Sequence, residues 1–183
     1  MAARDRHRFV FLDRDGTLVV DHGYTFRTSD YARVPGALEG LVLLRDAGFR
    51  FAIVTNQSGI ARGYYTTADF EAFQRHLERD FAAGGIRFEA TYHCPHLPDA
   101  GCACRKPSPG LLERAHRELG ADLSRSFVVG DTRRDVDLAA NAGCGAVLVT
   151  TGAGAAERAG IPGDVPVAAD LVAAARAILA RVR

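Results

Sequence analysis

Phe9-Val10-Phe11-Leu12-Asp13-Arg14-Asp15-Gly16-Thr17 is the stretch from which the rest of the chain can be read. Four apolar residues without polar alternation suit a strand covered on both faces. The abrupt change to Asp13-Arg14-Asp15-Gly16 ends that strand, and Gly16 permits a tight turn. Outward from it, similar apolar runs recur at 51–54, 88–92, 127–129 and 146–149. Helical patterns lie between them. One covers 37–47 after Pro35-Gly36. A second places Phe70, Phe73, Leu77 and Phe81 on one face after Thr66. A third places Leu111, Leu112, Ala115 and Leu119 in a stripe that opens at Ser108-Pro109, with Ser108 as the expected cap, and closes at Gly120. Two more helices are predicted at about 132–142 and 168–182. Strand and helix alternate throughout, which predicts an α/β fold: a doubly wound, Rossmann-like parallel sheet with helices on both faces, in a single domain over 1–183.

Composition narrows the class. With 183 residues, 48% hydrophobic and 25% charged, the chain matches soluble globular proteins and not disordered, collagenous or membrane ones. A formal net charge of +1 provides no broad basic field for long nucleic acids. No run approaches the ~20 apolar residues that cross a bilayer, and the run at 9–12, after the basic start Met1 to Arg8, is too short for a signal-peptide core. The expectation is a cytoplasmic monomer acting on a small molecule, with no nucleic-acid or membrane partner. In a reducing cytosol its four cysteines are poor disulfide candidates, and Cys94, Cys102 and Cys104 cluster with His96.

In a doubly wound sheet, ligands bind at the carboxyl ends of the strands, and the residues that follow each run here are polar. Asp13 and Asp15 allow one carboxylate to attack phosphorus while the other serves the leaving group, with a divalent cation offsetting the charge repulsion. Taken alone, Asp-x-Asp-Gly is also a solvated strand-end turn. Thr55, followed by Asn56, Gln57 and Ser58, offers a hydroxyl and neutral hydrogen-bonding groups to a phosphoryl oxygen, or forms a capped turn. Lys106 is a compact positive charge or a surface lysine. Asp131, one helical turn before Asp135, is a hard-cation ligand or a helix cap, and Asp135 would orient a water or Lys106. Together the four stations supply nucleophile, hydroxyl, cation and metal-binding carboxylate in chain order.

In that order the sequence resembles the haloacid dehalogenase superfamily, whose four motifs match Asp13-Arg14-Asp15-Gly16-Thr17, Thr55, Lys106 and Gly130-Asp131 through Asp135. The resemblance implies a phosphatase with an aspartyl-phosphate intermediate. Asp13 would be the nucleophile and Asp15 the acid, then base. Mg²⁺ would be held by Asp13, the Asp15 backbone carbonyl and Asp131, and Thr55 and Lys106 would grip the phosphoryl group.

Cys94-x-His96 and Cys102-x-Cys104, with 97–101 between them, can close a tetrahedral Zn²⁺ site of three thiolates and one imidazole. With all four positions filled by protein, such a zinc is structural and pins the loop, about 94–104, that delivers Arg105 and Lys106. Cys144, between two glycines, reads as a small buried residue. The zinc loop, Asp21-His22-Gly23-Tyr24 and the run 55–63 are similar to the heptose-bisphosphate phosphatase family, which lacks a large cap domain. That resemblance implies sugar-phosphate contacts from Asp21, His22, Gly23, Tyr24, Thr55, Asn56, Gln57, Ser58, Arg105 and Lys106, with Arg62 as a further cation. Thr132 stands where some members carry a substrate-binding lysine, so Arg133 or Arg134 is a possible replacement. Histidinol-phosphate phosphatases share the scaffold and a similar zinc loop, but 21–24 and 58–63 favour the heptose branch. A non-catalytic binding module would lack at least one of Asp13, Asp15, Thr55, Lys106 or Asp131, and none is missing.

Overall fold

The computed structural model describes residues 7–182, so the start of the basic segment, residues 1–6, lies outside it. Six parallel strands form one sheet: β1 (Phe9–Leu12), β2 (Arg50–Asn56), β3 (Phe88–Cys94), β4 (Phe127–Gly130), β5 (Gly145–Val149) and β6 (Val167–Ala168), in the order β3-β2-β1-β4-β5-β6. The helices are α1 (Ala37–Asp46), α2 (Thr67–Ala83), α3 (Gly110–Leu119), α4 (Arg133–Ala142), α5 (Gly154–Glu157) and α6 (Leu171–Arg181). No inserted run of strands or helices among the described residues is long enough to form a separate cap.

The unbroken apolar character of β1 follows from the two cores it serves. Val10 and Leu12 join Leu41, Phe73, Leu77 and Ile178 on one side of the sheet, whereas Phe9 and Phe11 join Leu111, Leu112, Leu138 and Ala139 on the other. The chain order turns back at β1, which lies between β2 and β4. The ends of these three strands therefore sit side by side at the switch point where such sheets bind ligands. The Asp13 N–H continues the ladder by donating to the Val129 carbonyl at 3.0 Å.

Several boundaries differ from the sequence expectation. Helix α6 begins at Leu171 rather than 168 because Val167 and Ala168 pair with Leu148 and Val149 as β6. Asp170 then caps the helix by accepting from the Ala173 N–H at 2.8 Å. Ser108 does not cap α3: its N–H closes a turn onto the Arg105 carbonyl at 2.8 Å, and Pro109 occupies the cap position with no side-chain bond. Neither β6 nor α5 was expected, since two residues carry no periodicity and one helical turn carries no stripe.

Candidate active site

Lys106 organises the strand ends. The residue is only 3% exposed, and its ammonium donates to the Val54 carbonyl at 3.0 Å and lies 2.9 Å from Asp13 Oδ1 and 2.6 Å from Asp135 Oδ1. Asn56 holds the lysine's backbone, with its Oδ1 accepting from the Lys106 N–H at 3.1 Å and its amide donating to the Lys106 carbonyl at 3.3 Å. The other Asp135 oxygen accepts from the Thr132 N–H at 3.1 Å and hydroxyl at 2.7 Å, a capping box that fixes the start of α4. Asp131 is buried, and one of its oxygens accepts from the Ala153 N–H at 2.7 Å. A Cβ at Gly16 or Gly152 would run into that carboxylate. Gly16, at φ +77°, is thus required for conformation and for space.

Burial pushes the Asp13 carboxyl up to about 7; Lys106 pulls it down, while Asp135, Asp131 and Asp15 push it further up. Asp131 rises to about 6, mainly through burial, with the Ala153 N–H opposing and Asp135 adding to the rise. Burial disfavours the Lys106 ammonium, yet the Asp13 and Asp135 carboxylates prevail and hold its pKa above the usual lysine value. One ammonium therefore pairs with two of three acids whose oxygens lie within 4.8 Å of one another. This all-oxygen donor set with surplus negative charge fits a hard divalent cation.

Asp13 and Asp15 open on a cavity of about 390 Å³ that is also lined by Asp21, Gly23, Tyr24, Thr55, Asn56, Gln57, Ser58, Arg62, Arg105, Lys106, Asp131 and Arg134. His22 is not among the lining residues; it is exposed, and its N–H donates to Thr25 Oγ1 at 3.0 Å. Asp21 accepts from the Gly23 N–H at 2.8 Å, Gly23 and Tyr24 both have positive φ, and Tyr24 packs edge-on against the Tyr64 ring. Gln57 is 2% exposed and is engaged inside the protein with Asp15, Thr55, Arg14 and Tyr65. Arg105 donates to the His96 carbonyl at 3.1 Å. Of the two arginines after Thr132, Arg133 is tied to Asp137, Glu157 and the Gly160 carbonyl, whereas Arg134 lines the cavity.

Beyond β3, Cys94 Sγ and Cys104 Sγ each lie 3.6 Å from Cys102 Sγ, and His96 Nδ1 is 3.5 Å from Cys94 and 3.2 Å from Cys104. Four soft donors converging at these separations fit a tetrahedral Zn²⁺. Cys144 packs against the core away from this group.

Sequence reasoning missed Arg14, Tyr65 and the segment after β5. Arg14 is fully buried and holds the Asp15 carboxylate with its fork of donors. Its signal was present: an arginine between two acids at a strand end. Tyr65 and Ala153 carried none, because their roles come from a hydroxyl and a backbone N–H that the fold alone brings into place.

Among curated proteins, a D-glycero-beta-D-manno-heptose-1,7-bisphosphate 7-phosphatase of Photorhabdus laumondii is 42% identical over 151 residues, spanning 78% of this chain and 80% of the relative. The protein of the same name from Bordetella bronchiseptica is 39% identical over 175 residues, 94% of this chain and 98% of its own length. The chain belongs to the heptose-1,7-bisphosphate 7-phosphatase family. Members of known structure superpose closely on it. The crystal structure of D,D-heptose 1,7-bisphosphate phosphatase from B. bronchiseptica, complexed with magnesium and phosphate, matches with a TM-score of 0.87 at 38% identity over 95% of this chain and 99% of that one. The Burkholderia thailandensis protein matches with a TM-score of 0.72 at 32% identity over 94% and 98%. Residues 103–174 also match the broader HAD-hydrolase-like family. The chain is thus a phosphoric monoester hydrolase with the HAD-like fold, in agreement with the order of its strand-end motifs.

Proposed function

We propose that the enzyme removes the C7 phosphate of D-glycero-D-manno-heptose 1,7-bisphosphate through an aspartyl-phosphate on Asp13, in nucleotide-activated heptose biosynthesis, as a cytoplasmic monomer with one domain over 1–183. No helix among the described residues is long and apolar enough to cross a membrane. The observation that carries the chemistry is the Lys106 ammonium, which holds one Asp13 oxygen beside the cavity that Asp15 also enters. Asp13 attacks phosphorus while Lys106 and Thr55 grip the phosphoryl oxygens. Asp15 gives a proton to the leaving sugar oxygen, then takes one from the water that hydrolyses the intermediate. Mg²⁺, which is present in the B. bronchiseptica structure, would be held here by Asp13, Asp131 and the Asp15 backbone carbonyl. When bound, it supplies neutralisation of the charge between the Asp13 anion and the phosphate. Zn²⁺ held by Cys94, His96, Cys102 and Cys104 would keep Arg105 and Lys106 in register.

The rim favours a bisphosphate. Arg62, Arg105 and Arg134 line the cavity and suit a second phosphate, with Arg134 taking the place of the lysine absent at Thr132. Asp21, Gly23, Tyr24 and Ser58 remain for the sugar hydroxyls, whereas Asn56 and Gln57 act mainly by holding Lys106 and Asp15. Histidinol phosphate would instead bring its ammonium towards these three arginines. Values of kcat/KM for each anomer of heptose 1,7-bisphosphate and for histidinol phosphate, measured with Mg²⁺, test the assignment. A bisphosphate preference is expected. A preference for histidinol phosphate would overturn it, and no Mg²⁺-dependent phosphate release from any sugar phosphate would leave only a binding module.

A further inference from the structure

Arg14 is a fully buried arginine beside an open cavity, and its placement needs a cause, because a buried ion pair is a poor source of stability. Its Nε lies 3.1 Å from both Asp15 oxygens and its Nη2 lies 2.9 Å from Asp15 Oδ1. Nη2 also donates to the Thr25 carbonyl at 2.6 Å and to Gln57 Oε1 at 3.3 Å, while Nη1 is buried with no partner among the described residues. The guanidinium lies over the Phe73 ring at 4.7 Å and the Phe70 ring at 5.4 Å. From the other side, Gln57 Nε2 donates to Asp15 Oδ2 at 2.9 Å and to Thr55 Oγ1 at 2.8 Å, and the Tyr65 hydroxyl donates to Gln57 Oε1. Both Asp15 oxygens are therefore held by buried groups that are themselves hydrogen-bonded to the protein.

We propose that Arg14, Gln57 and Tyr65 form a buried clamp that fixes the Asp15 carboxylate for proton transfer, with Arg14 as the principal positioning residue. The inference rests on the phosphatase reading above. An acid/base that serves a leaving oxygen and then a water must keep one position through both steps, and small misplacements are costly. The described residues include no inserted cap to close over the site, so the constraint on Asp15 comes from beneath. The aromatic rings give the guanidinium a fixed seat, and the Gln57 amide links the acid/base to the hydroxyl that grips phosphate.

The competing explanation is a staple: Arg14 anchors 16–35 through the Thr25 carbonyl and affects the site only through stability. Leaving-group dependence separates the two. Heptose 1,7-bisphosphate must have its leaving alkoxide protonated, whereas 4-nitrophenyl phosphate expels a stable phenolate. Arg14→Met should lower kcat/KM for the bisphosphate on the order of 10²-fold and for 4-nitrophenyl phosphate by about threefold or less. With the nitrophenyl ester it should also release a burst of about one equivalent of phenolate before slow turnover, because Asp15 must still activate water for the second step. Arg14→Lys, which keeps the charge without the fork, should show a smaller version of the same pattern. Equal losses on both esters with no burst would overturn the clamp and leave the staple. If Arg14→Met does not fold, Gln57→Leu carries the same comparison, because any loss at Thr55 falls equally on both esters. Wild-type protein inactive on both esters would instead overturn the phosphatase reading; wild-type activity with uniform losses in the variants would overturn the clamp alone.

Discussion

Lys106 stands 2.9 Å from Asp13 and 2.6 Å from Asp135, whereas the sulfurs of Cys94 and Cys104 each lie 3.6 Å from that of Cys102, with the His96 ring beside them. Both groups fit a cation, and they are kept in shape differently. At the strand ends, the carboxylates are held by protein donors: the Lys106 ammonium, the Thr132 N–H and hydroxyl, and the Ala153 N–H. That arrangement can stand without metal and still lack activity. In the Cys/His loop the thiol and imidazole groups are paired chiefly with one another, so the loop's shape should depend more on the proposed zinc. The two regions meet at Arg105 and Lys106, directly after Cys104.

The largest effect should come from Asp13→Asn, which removes the proposed nucleophile and leaves the thiols untouched. Turnover should fall at least on the order of 10⁴-fold by phosphate release. Because burial disfavours the Asp13 anion, a neutral amide of the same shape should leave the melting temperature unchanged or raise it, and circular dichroism should show the same fold. A large drop in melting temperature would break the contrast, since the acid site would then be holding the fold together.

Cys104→Ser tests the other side. Bound zinc should disappear by metal analysis, the melting temperature should fall, and kcat/KM should drop about 10–100-fold as Arg105 and Lys106 lose their support. Activity should survive in part, because Asp13, Asp135 and the Val54 carbonyl still hold the lysine's ammonium. Loss as complete as that of Asp13→Asn would make the zinc loop part of the catalytic unit, whereas an unchanged melting temperature would remove its structural role.

The same contrast explains what the sequence could reveal. β1 was legible because its residues alternate between two buried faces and so read as one apolar run, and the acids after it were legible because strand ends collect chemistry. The Cys/His cluster was legible because its four residues lie close in sequence. What could not be read depends on distance along the chain. The Ala153 N–H on Asp131 joins residues 22 apart, and the Gln57 amide on Asp15 joins residues 42 apart. Gln57 was expected to meet substrate and does line the cavity, but an amide in a polar turn gives no sign that a buried tyrosine and arginine will also engage it. His22 was expected at the site from its motif, but the positive φ of Gly23 and Tyr24 turns the segment so that its neighbours line the cavity instead.

The smallest effect concerns protons. Asp13 is raised from 3.8 to about 7 and Asp131 from 3.8 to about 6. An acid with a raised folded-state pKa binds its proton more tightly in the native state than in the unfolded one. Its contribution to stability is complete below 3.8 and is lost as the pH climbs through about 6 for Asp131 and about 7 for Asp13. Without Mg²⁺, these two groups should therefore lower the melting temperature across that interval. Mg²⁺ competes with the same protons, so the stabilisation it confers should grow with pH, from little at about pH 5 to a shift of a few degrees at about pH 8. Paired melting curves with Mg²⁺ and with a chelator selective for it, on zinc-replete protein, measure this difference. A shift that is flat over the interval would mean that the acids are ionised before the cation arrives. The strand-end site would then resemble the thiol loop in needing an external cation to hold its charges together.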